Sequence, residues 1–262
     1  MRVTQVAVQL YTIRDHLKTP GEMAVSFRRL REIGFRAIEL GGLGPISDTE
    51  LKTLLDGEGL ACCASHEPAR QLIENPEHIA AKLKTIGCPT AVYPYPSGIS
   101  FSTREELSAF TRRLNDAGSR LRGAGIALAY HNHNIEFRKI EGSLALSKIF
   151  EETDPKNLSA ELDCYWVQAG GNDPAGWCVR MKGRLLLLHM KDYGVQDQSA
   201  ALPSSVFREV GQGNLDWPRI VKDAETSGCR WFVIEQDANW IDNDPFRSLK
   251  ISYDYMKNVL CE

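Results

Sequence analysis

No stretch of this sequence is long and apolar enough to span a bilayer, and the opening "MRVTQVAVQL" lacks the apolar segment of a secretory signal. No CxxC pair occurs among the seven cysteines, at 62, 63, 88, 164, 178, 229 and 261. That argues against a cysteine zinc site, and an odd number scattered over a large chain argues for reduced thiols. No G-x-G-x-x-G follows the first apolar run and no Walker-type loop is present, which weighs against a doubly wound nucleotide-binding sheet. No excess of positive charge exists either. The formal net charge is −3, so nothing favours nucleic acid or an acidic membrane as partner. A cytoplasmic location is the expectation.

What is present is a regular alternation. The chain has 262 residues, 43% apolar and 25% charged, enough for a sizeable core. Short β-type runs alternate with longer helical segments. The runs are "VTQVAVQLYTI" (3–13), "AIEL" (37–40), "LACCASHE" (60–67), "TAVYPYP" (90–96), "IALAYHNH" (126–133), "LSAELDCYWV" (158–167), "LLLLHMKDY" (185–193) and "WFVIEQD" (231–237). Helices are expected near 21–33, 48–58, 75–86, 103–123, 143–152, 173–182, 217–227 and 245–260. Gly in "EIGF", "GEGLA", "GAGIA" and "TSGCRW" separates helix from strand, as a helix C-terminus needs. Ser102 or Thr103 is placed to cap the long helix. Eight strand–helix units predict an α/β fold closed as a single (β/α)8 TIM barrel over residues 1–262, with an open parallel sheet as the rival. The segment 194–214 is the longest without periodicity and reads as a loop over the seventh strand.

In such barrels the chemistry collects at the C-terminal strand ends. Strands one to four end near Gln9 and Tyr11, Glu39, Ser65–His66–Glu67, and Tyr93 and Tyr95. Strand five gives His131, His133 and Glu136; strand six gives Asp163, Tyr165 and Trp166; strand seven gives His189, Lys191 and Asp192; strand eight gives Glu235 and Asp237. Glu136, Asp163, His189 and Glu235 come from four successive strands about 4.8 Å apart, so they can converge on one ion. Three carboxylates and an imidazole favour Mn²⁺ or Mg²⁺, with Co²⁺ or Zn²⁺ as alternatives. Glu136 joins the set only if the chain bends after Asn134; otherwise His131 or His133 takes its place. Tyr11, Tyr95, Trp166 and Trp240 could shape a sugar pocket, His66 could contact substrate, and "GQGN" could receive an anion at its backbone N–H groups.

The motifs "YHNHNIEF", "AELDCYWVQAGGNDP", "LLLLHMKDY", "EVGQGNLDW" and "FVIEQD" run in order over roughly residues 126–237. On them the chain resembles the sugar phosphate isomerase/epimerase group of xylose isomerase-like TIM barrels. That superfamily includes ketose 3-epimerases, inosose dehydratases, endonuclease IV and 3-keto-glycoside-cleaving enzymes. The resemblance implies one divalent metal held by Glu136, Asp163, His189 and Glu235. It implies an acid/base role for His133 and a substrate contact for Lys191. His131, His66 and Trp166 are further candidate substrate contacts. In ketose 3-epimerases the ligand carboxylates also move the proton, which makes Glu136 and Glu235 catalytic candidates with His133. "HNHNIE" departs from the Glu-bearing strand-five pattern of those epimerases. The expected activity is a metal-dependent isomerase or epimerase on a keto sugar, working through an enediolate. A lyase or dehydratase on keto sugars is the alternative; a nuclease and a non-catalytic sugar-binding subunit rank below. The expected partner is a small-molecule sugar, with homo-oligomerisation left open.

Overall fold

A computed structural model describes residues 1–196 and 204–262. Eight parallel strands close into a barrel. We number them β1 (Val6–Gln9), β2 (Ala37–Leu40), β3 (Ala61–His66), β4 (Thr90–Tyr93), β5 (Ala127–His131), β6 (Ser159–Asp163), β7 (Leu185–Met190) and β8 (Trp231–Ile234). Each pairs with the next and β8 closes on β1 through Val8↔Ile234. No helix among the described residues is long and apolar enough to cross a membrane.

The local chemistry explains the cuts. The helix Pro20–Ile33 starts on a reciprocal cap between Thr19 and Glu22, and ends at Gly34, whose φ of 130° suits glycine. Thr103 rather than Ser102 caps Arg104–Gly123, its hydroxyl accepting from Glu106 N at 3.2 Å. Two apolar layers result. Small and branched residues such as Ala7, Cys63, Val92, Ala129, Leu187 and Val233 fill the barrel interior. Larger ones, including Phe27, Leu30, Leu83, Leu114, Trp177 and Phe232, fill the shell between strands and helices. All seven cysteines are free, six of them buried.

All the strands but β2 are shorter than the apolar runs, and three of them show why. β1 stops at Gln9, whose side-chain oxygen accepts from Tyr11 N and starts a 3-10 turn over Leu10–His16. β6 stops at Asp163, whose carboxylate accepts from Trp166 N at 3.0 Å and starts the helix Cys164–Ala169. β7 stops at Met190. Beyond it Asp192–Gln196 and Ser204–Arg208 pair as an antiparallel hairpin in place of the expected loop; residues 197–203 lie outside the described residues.

The buried carboxylate of Asp192 anchors that hairpin. It accepts from five N–H groups: Tyr193 N (2.8 Å), Gly211 N (2.8 Å), Gly213 N (3.1 Å), Leu215 N (3.3 Å) and Trp217 Nε1 (2.7 Å). A Cβ at Gly213 would fall on Asp192 Oδ1, so only glycine fits there. Of the "GQGN" N–H groups offered above to an anion, those of Gly211 and Gly213 are therefore taken by the protein's own carboxylate, and those of Gln212 and Asn214 go to the carbonyls of Glu209 and Tyr193.

Candidate active site

Strand side chains alternate faces, so residues two apart point the same way. Counting back by two from His131, His189 and Glu235 gives Ala129, Leu187 and Val233, which pack together inside the barrel. Counting forward gives His133, Lys191 and Asp237. On β6 the same parity carries Glu161 and then Asp163. The inward ladder thus passes from an apolar floor through imidazoles and carboxylates to the barrel mouth. Register aligns the rungs: Asp163 pairs with His189, and His131 with Glu161.

His131, Asp163, His189 and Glu235 each offer one ligand atom, all within 4.8 Å of one another and all buried. His131 Nε2 lies 3.8 Å and His189 Nδ1 3.9 Å from Asp163 Oδ2, while His189 Nδ1 lies 2.9 Å from Glu235 Oε2. Asp163 Oδ2 is paired with Lys191 Nζ at 3.2 Å and makes no further hydrogen bond among the described residues. A buried carboxylate oxygen that faces two imidazole nitrogens and already draws an ammonium sits where a cation is favoured. Two imidazoles and two carboxylates together make a mixed donor set that a divalent ion accepts.

Glu136 is not in that group. Its Oε1 accepts from Tyr130 Oη at 2.8 Å and its Oε2 from His133 N at 2.9 Å. The chain does turn after Asn134, through the 3-10 segment Ile135–Phe137, but the turn carries Glu136 under Tyr130. His131 takes the fourth place. Burial pushes the Glu136 carboxyl up to about 7, against its hydrogen bonds to Tyr130 and His133. Its work here is to hold the turn that presents His133. Asn132 ties the same region sideways, accepting from Asp163 N at 3.1 Å.

Lys191 is 2% exposed and threads between carboxylates: Nζ is 2.7 Å from Glu235, 3.0 Å from Asp237 and 3.2 Å from Asp163. Burial alone would lower its pKa, yet Asp163, Glu235 and Asp237 outweigh that and raise it well above the usual range. Glu235 goes the other way. Burial would raise it, but Lys191 and His189 hold it well below the usual range, so it is ionised. Burial takes Asp163 up to about 6 despite Lys191 and His189. His133 is half-buried between Tyr95 (ring centroids 4.9 Å) and Trp166 (5.4 Å). Burial, then His131 and Lys191, push it down to about 2, which keeps the imidazole neutral.

Beneath these groups lies a second layer. Glu161, at 0% exposure, places Oε1 2.8 Å from His66 Nε2, 2.9 Å from His131 Nδ1 and 3.0 Å from His189 Nε2; Glu39 Oε2 is 2.7 Å from His189 Nε2. Burial takes Glu39 up to about 7, helped by the Glu161 charge. Glu161 is absent from the site residues expected on sequence. Its position two before Asp163 on an alternating strand is the signal that could have found it. His66, expected near substrate, turns Nε2 toward Glu161.

The layers open into a cavity of about 410 Å³ lined by Tyr11, His66, Pro94, Tyr95, His131, His133, Lys191, Glu235 and Asp237. Trp166 borders it through His133 and through Lys191 Nζ, 5.7 Å from its ring. Of the sequence-expected residues, His131, His133, His189, Lys191, Asp163, Glu235, His66 and Trp166 therefore meet at one place, and Glu136 stands apart.

The family model described as Xylose isomerase-like TIM barrel matches residues 27–258. The chain belongs to this family. Within it, the rhizopine catabolism protein MocC of Rhizobium meliloti is 26% identical, over 92% of this chain and 82% of its own. Inosose dehydratase of Geobacillus thermodenitrificans is 24% identical over 60% of this chain and 56% of its own. A sugar phosphate isomerase/epimerase from Parabacteroides distasonis superposes with a TM-score of 0.82 at 22% identity, covering 97% of this chain and 93% of its own. A xylose isomerase-like TIM barrel protein from Mycobacterium smegmatis, in complex with magnesium, gives 0.74 at 16% identity over 99% and 98%. At these identities the structural likenesses establish the xylose isomerase-like barrel as the fold of this chain.

Proposed function

We propose that this protein is a divalent-metal-dependent isomerase or epimerase that moves a proton next to the carbonyl of a keto sugar or related polyol. The observation that carries the reading is geometric: His131, Asp163, His189 and Glu235 offer ligand atoms within 4.8 Å of one another, beside a cavity that His133 and Lys191 also line. His131, Asp163, His189 and Glu235 would hold the ion. The Mycobacterium smegmatis relative was solved with magnesium, and Mn²⁺ or Mg²⁺ suits the two carboxylates here. When bound, the ion would supply Lewis acidity toward a carbonyl and its neighbouring hydroxyl, acidifying the C–H between them.

The protein's own residues supply the rest. Glu235 is a carboxylate able to accept the proton, and His133 is a neutral imidazole whose Nδ1 is buried with no hydrogen-bond partner among the described residues. Epimerisation requires a proton acceptor on one face of a carbon and a proton donor on the other: of these two groups on separate strands, one would take the proton and the other, holding a proton in the substrate complex, would return one. Lys191 presents an ammonium to the same cavity, placed to stabilise charge on a substrate oxygen as the proton leaves. The rings of Tyr11 and Tyr95 at the mouth are 42% and 45% exposed, faces on which C–H-rich sugar surfaces can pack.

A second reading is a lyase on the same class of substrate. The likeness to a protein named inosose dehydratase favours it, and the same proton abstraction leads to elimination when a β-hydroxyl is positioned to leave. Proton NMR in D₂O with the manganese-loaded protein and a panel of keto sugars and keto-inositols separates them. Deuterium entering the α-carbon without loss of water supports isomerase or epimerase, and loss of water supports the lyase. No exchange and no turnover with any member of the panel would overturn both.

A further inference from the structure

The two layers of the site share His131 and His189, and each ring spans them. His131 turns Nε2 toward Asp163 and Nδ1 toward Glu161; His189 turns Nδ1 toward Asp163 and Glu235, and Nε2 toward Glu39 and Glu161. Each imidazole therefore has one nitrogen in the cation environment and one in a buried carboxylate environment. The lower layer, His66, His131, Glu161 and His189, is itself a group whose atoms lie close enough to surround an ion.

The lower layer reads as a hydrogen-bonded support. Its N···O separations of 2.7, 2.8, 2.9 and 3.0 Å are those of charge-assisted hydrogen bonds, three of them converging on the single oxygen Glu161 Oε1. The upper layer has one contact of that length, His189 Nδ1 to Glu235 Oε2 at 2.9 Å, and wider gaps of 3.8 and 3.9 Å around Asp163. An ion in each layer would need both ring nitrogens of His131 and of His189 as ligands, and so both protons of each ring removed.

On the reading that the upper layer binds a divalent ion, we infer that Glu161 is the positioning residue of the site: it holds the N–H of His131, with His66 and His189 converging on the same oxygen, so that the lone pair of His131 Nε2 points up the barrel toward Asp163. Glu39 shares the N–H of His189. A histidine ligand whose second nitrogen donates to a carboxylate is fixed in tautomer and ring angle and is a stronger donor to metal. One buried carboxylate here serves three rings from β3, β5 and β7. A leucine or alanine at 161 would leave the N–H of His131 without an acceptor inside the barrel, while His189 would keep Glu39.

The tautomer of His131 is readable in the full-length protein without added metal, by long-range ¹⁵N–¹H correlation. The expected spectrum is a neutral ring protonated at Nδ1. Manganese affinity by titration calorimetry is then compared in wild type, Glu161→Gln and Glu161→Met. Glu161→Met is expected to weaken binding by about 10- to 100-fold. Glu161→Gln keeps an acceptor oxygen, so it should retain the His131 tautomer and lose less. If Glu161→Met does not fold, the wild-type spectrum and Glu161→Gln still decide the matter. Protonation of His131 at Nε2, or wild-type affinity in both variants, overturns the inference. Absence of manganese binding in the wild type with His131 protonated at Nδ1 sinks the metal reading instead and leaves the role of Glu161 in setting the tautomer standing.

Discussion

Lys191→Met is expected to make the metal-free protein markedly less stable and the manganese-loaded protein tighter for its ion. The ammonium lies within 3.2 Å of Asp163, Glu235 and Asp237 at 2% exposure. Methionine replaces its length but not its charge, leaving three carboxylates facing one another away from water. Breaking a buried ion pair from one side costs about 3–5 kcal/mol. A divalent ion among Asp163 and Glu235 would relieve that repulsion, and the repulsion between ion and ammonium would be gone. The expected signature is opposite in sign for the two states. Thermal melts without metal should drop by about 6–20 °C, given roughly 2–4 °C per kcal/mol for a chain of this size. The stabilisation produced by manganese should grow, with a dissociation constant lower by about tenfold or more. Turnover, if the ammonium meets substrate, should fall by about 100-fold or more. Equal melting temperatures for wild type and variant without metal would contradict the placement of Lys191.

Asp192→Ala is expected to lower stability by about 4 kcal/mol, judged by the number of buried N–H groups left without an acceptor. The carboxylate collects five donors, four from backbone and one from the Trp217 indole. They come from three pieces of chain: the start of the hairpin after β7, the turn over 211–215 and the first residue of the helix Trp217–Thr226. Losing them unpins the hairpin whose Phe207 packs against Tyr165, with ring centroids 4.3 Å apart. Asp192→Asn keeps one acceptor oxygen and should lie between wild type and Asp192→Ala in chemical denaturation. Amide exchange should rise first at Gly211 and Gly213. A variant as stable as wild type would mean that water replaces the carboxylate at no cost.

The barrel is legible because each strand–helix unit carries its own punctuation. Gly34 and Gly59 end helices where the sequence places glycine, and Thr103 begins one. Asp163, His189 and Glu235 stand out because each closes an apolar run, the one location where burial makes a charge conspicuous. Glu161 lies one rung deeper. It sits inside a short run and looks like ordinary alternation until the period of two is counted from Asp163; Glu39 stands out as a strand end, but spacing does not reveal that it meets His189. Glu136 is misplaced for a different reason. Whether it faces the barrel axis depends on the path of the chain after Asn134, and that path is set by Tyr130 Oη and His133 N, contacts that sequence spacing does not reveal. Trp166 likewise reads as a strand residue until Asp163 is seen to cap the helix that carries it.

The central claim is that one divalent ion sits among His131, Asp163, His189 and Glu235. Anomalous diffraction at the manganese edge from soaked crystals of wild type and Glu136→Gln tests it most directly. The account predicts one strong peak in both, about 2.1–2.4 Å from His131 Nε2, Asp163 Oδ2, His189 Nδ1 and Glu235 Oε2, with residue 136 still against Tyr130. A peak coordinated by Glu136 in the wild type and missing from Glu136→Gln, or no peak between β5, β6, β7 and β8 in either crystal, would contradict it.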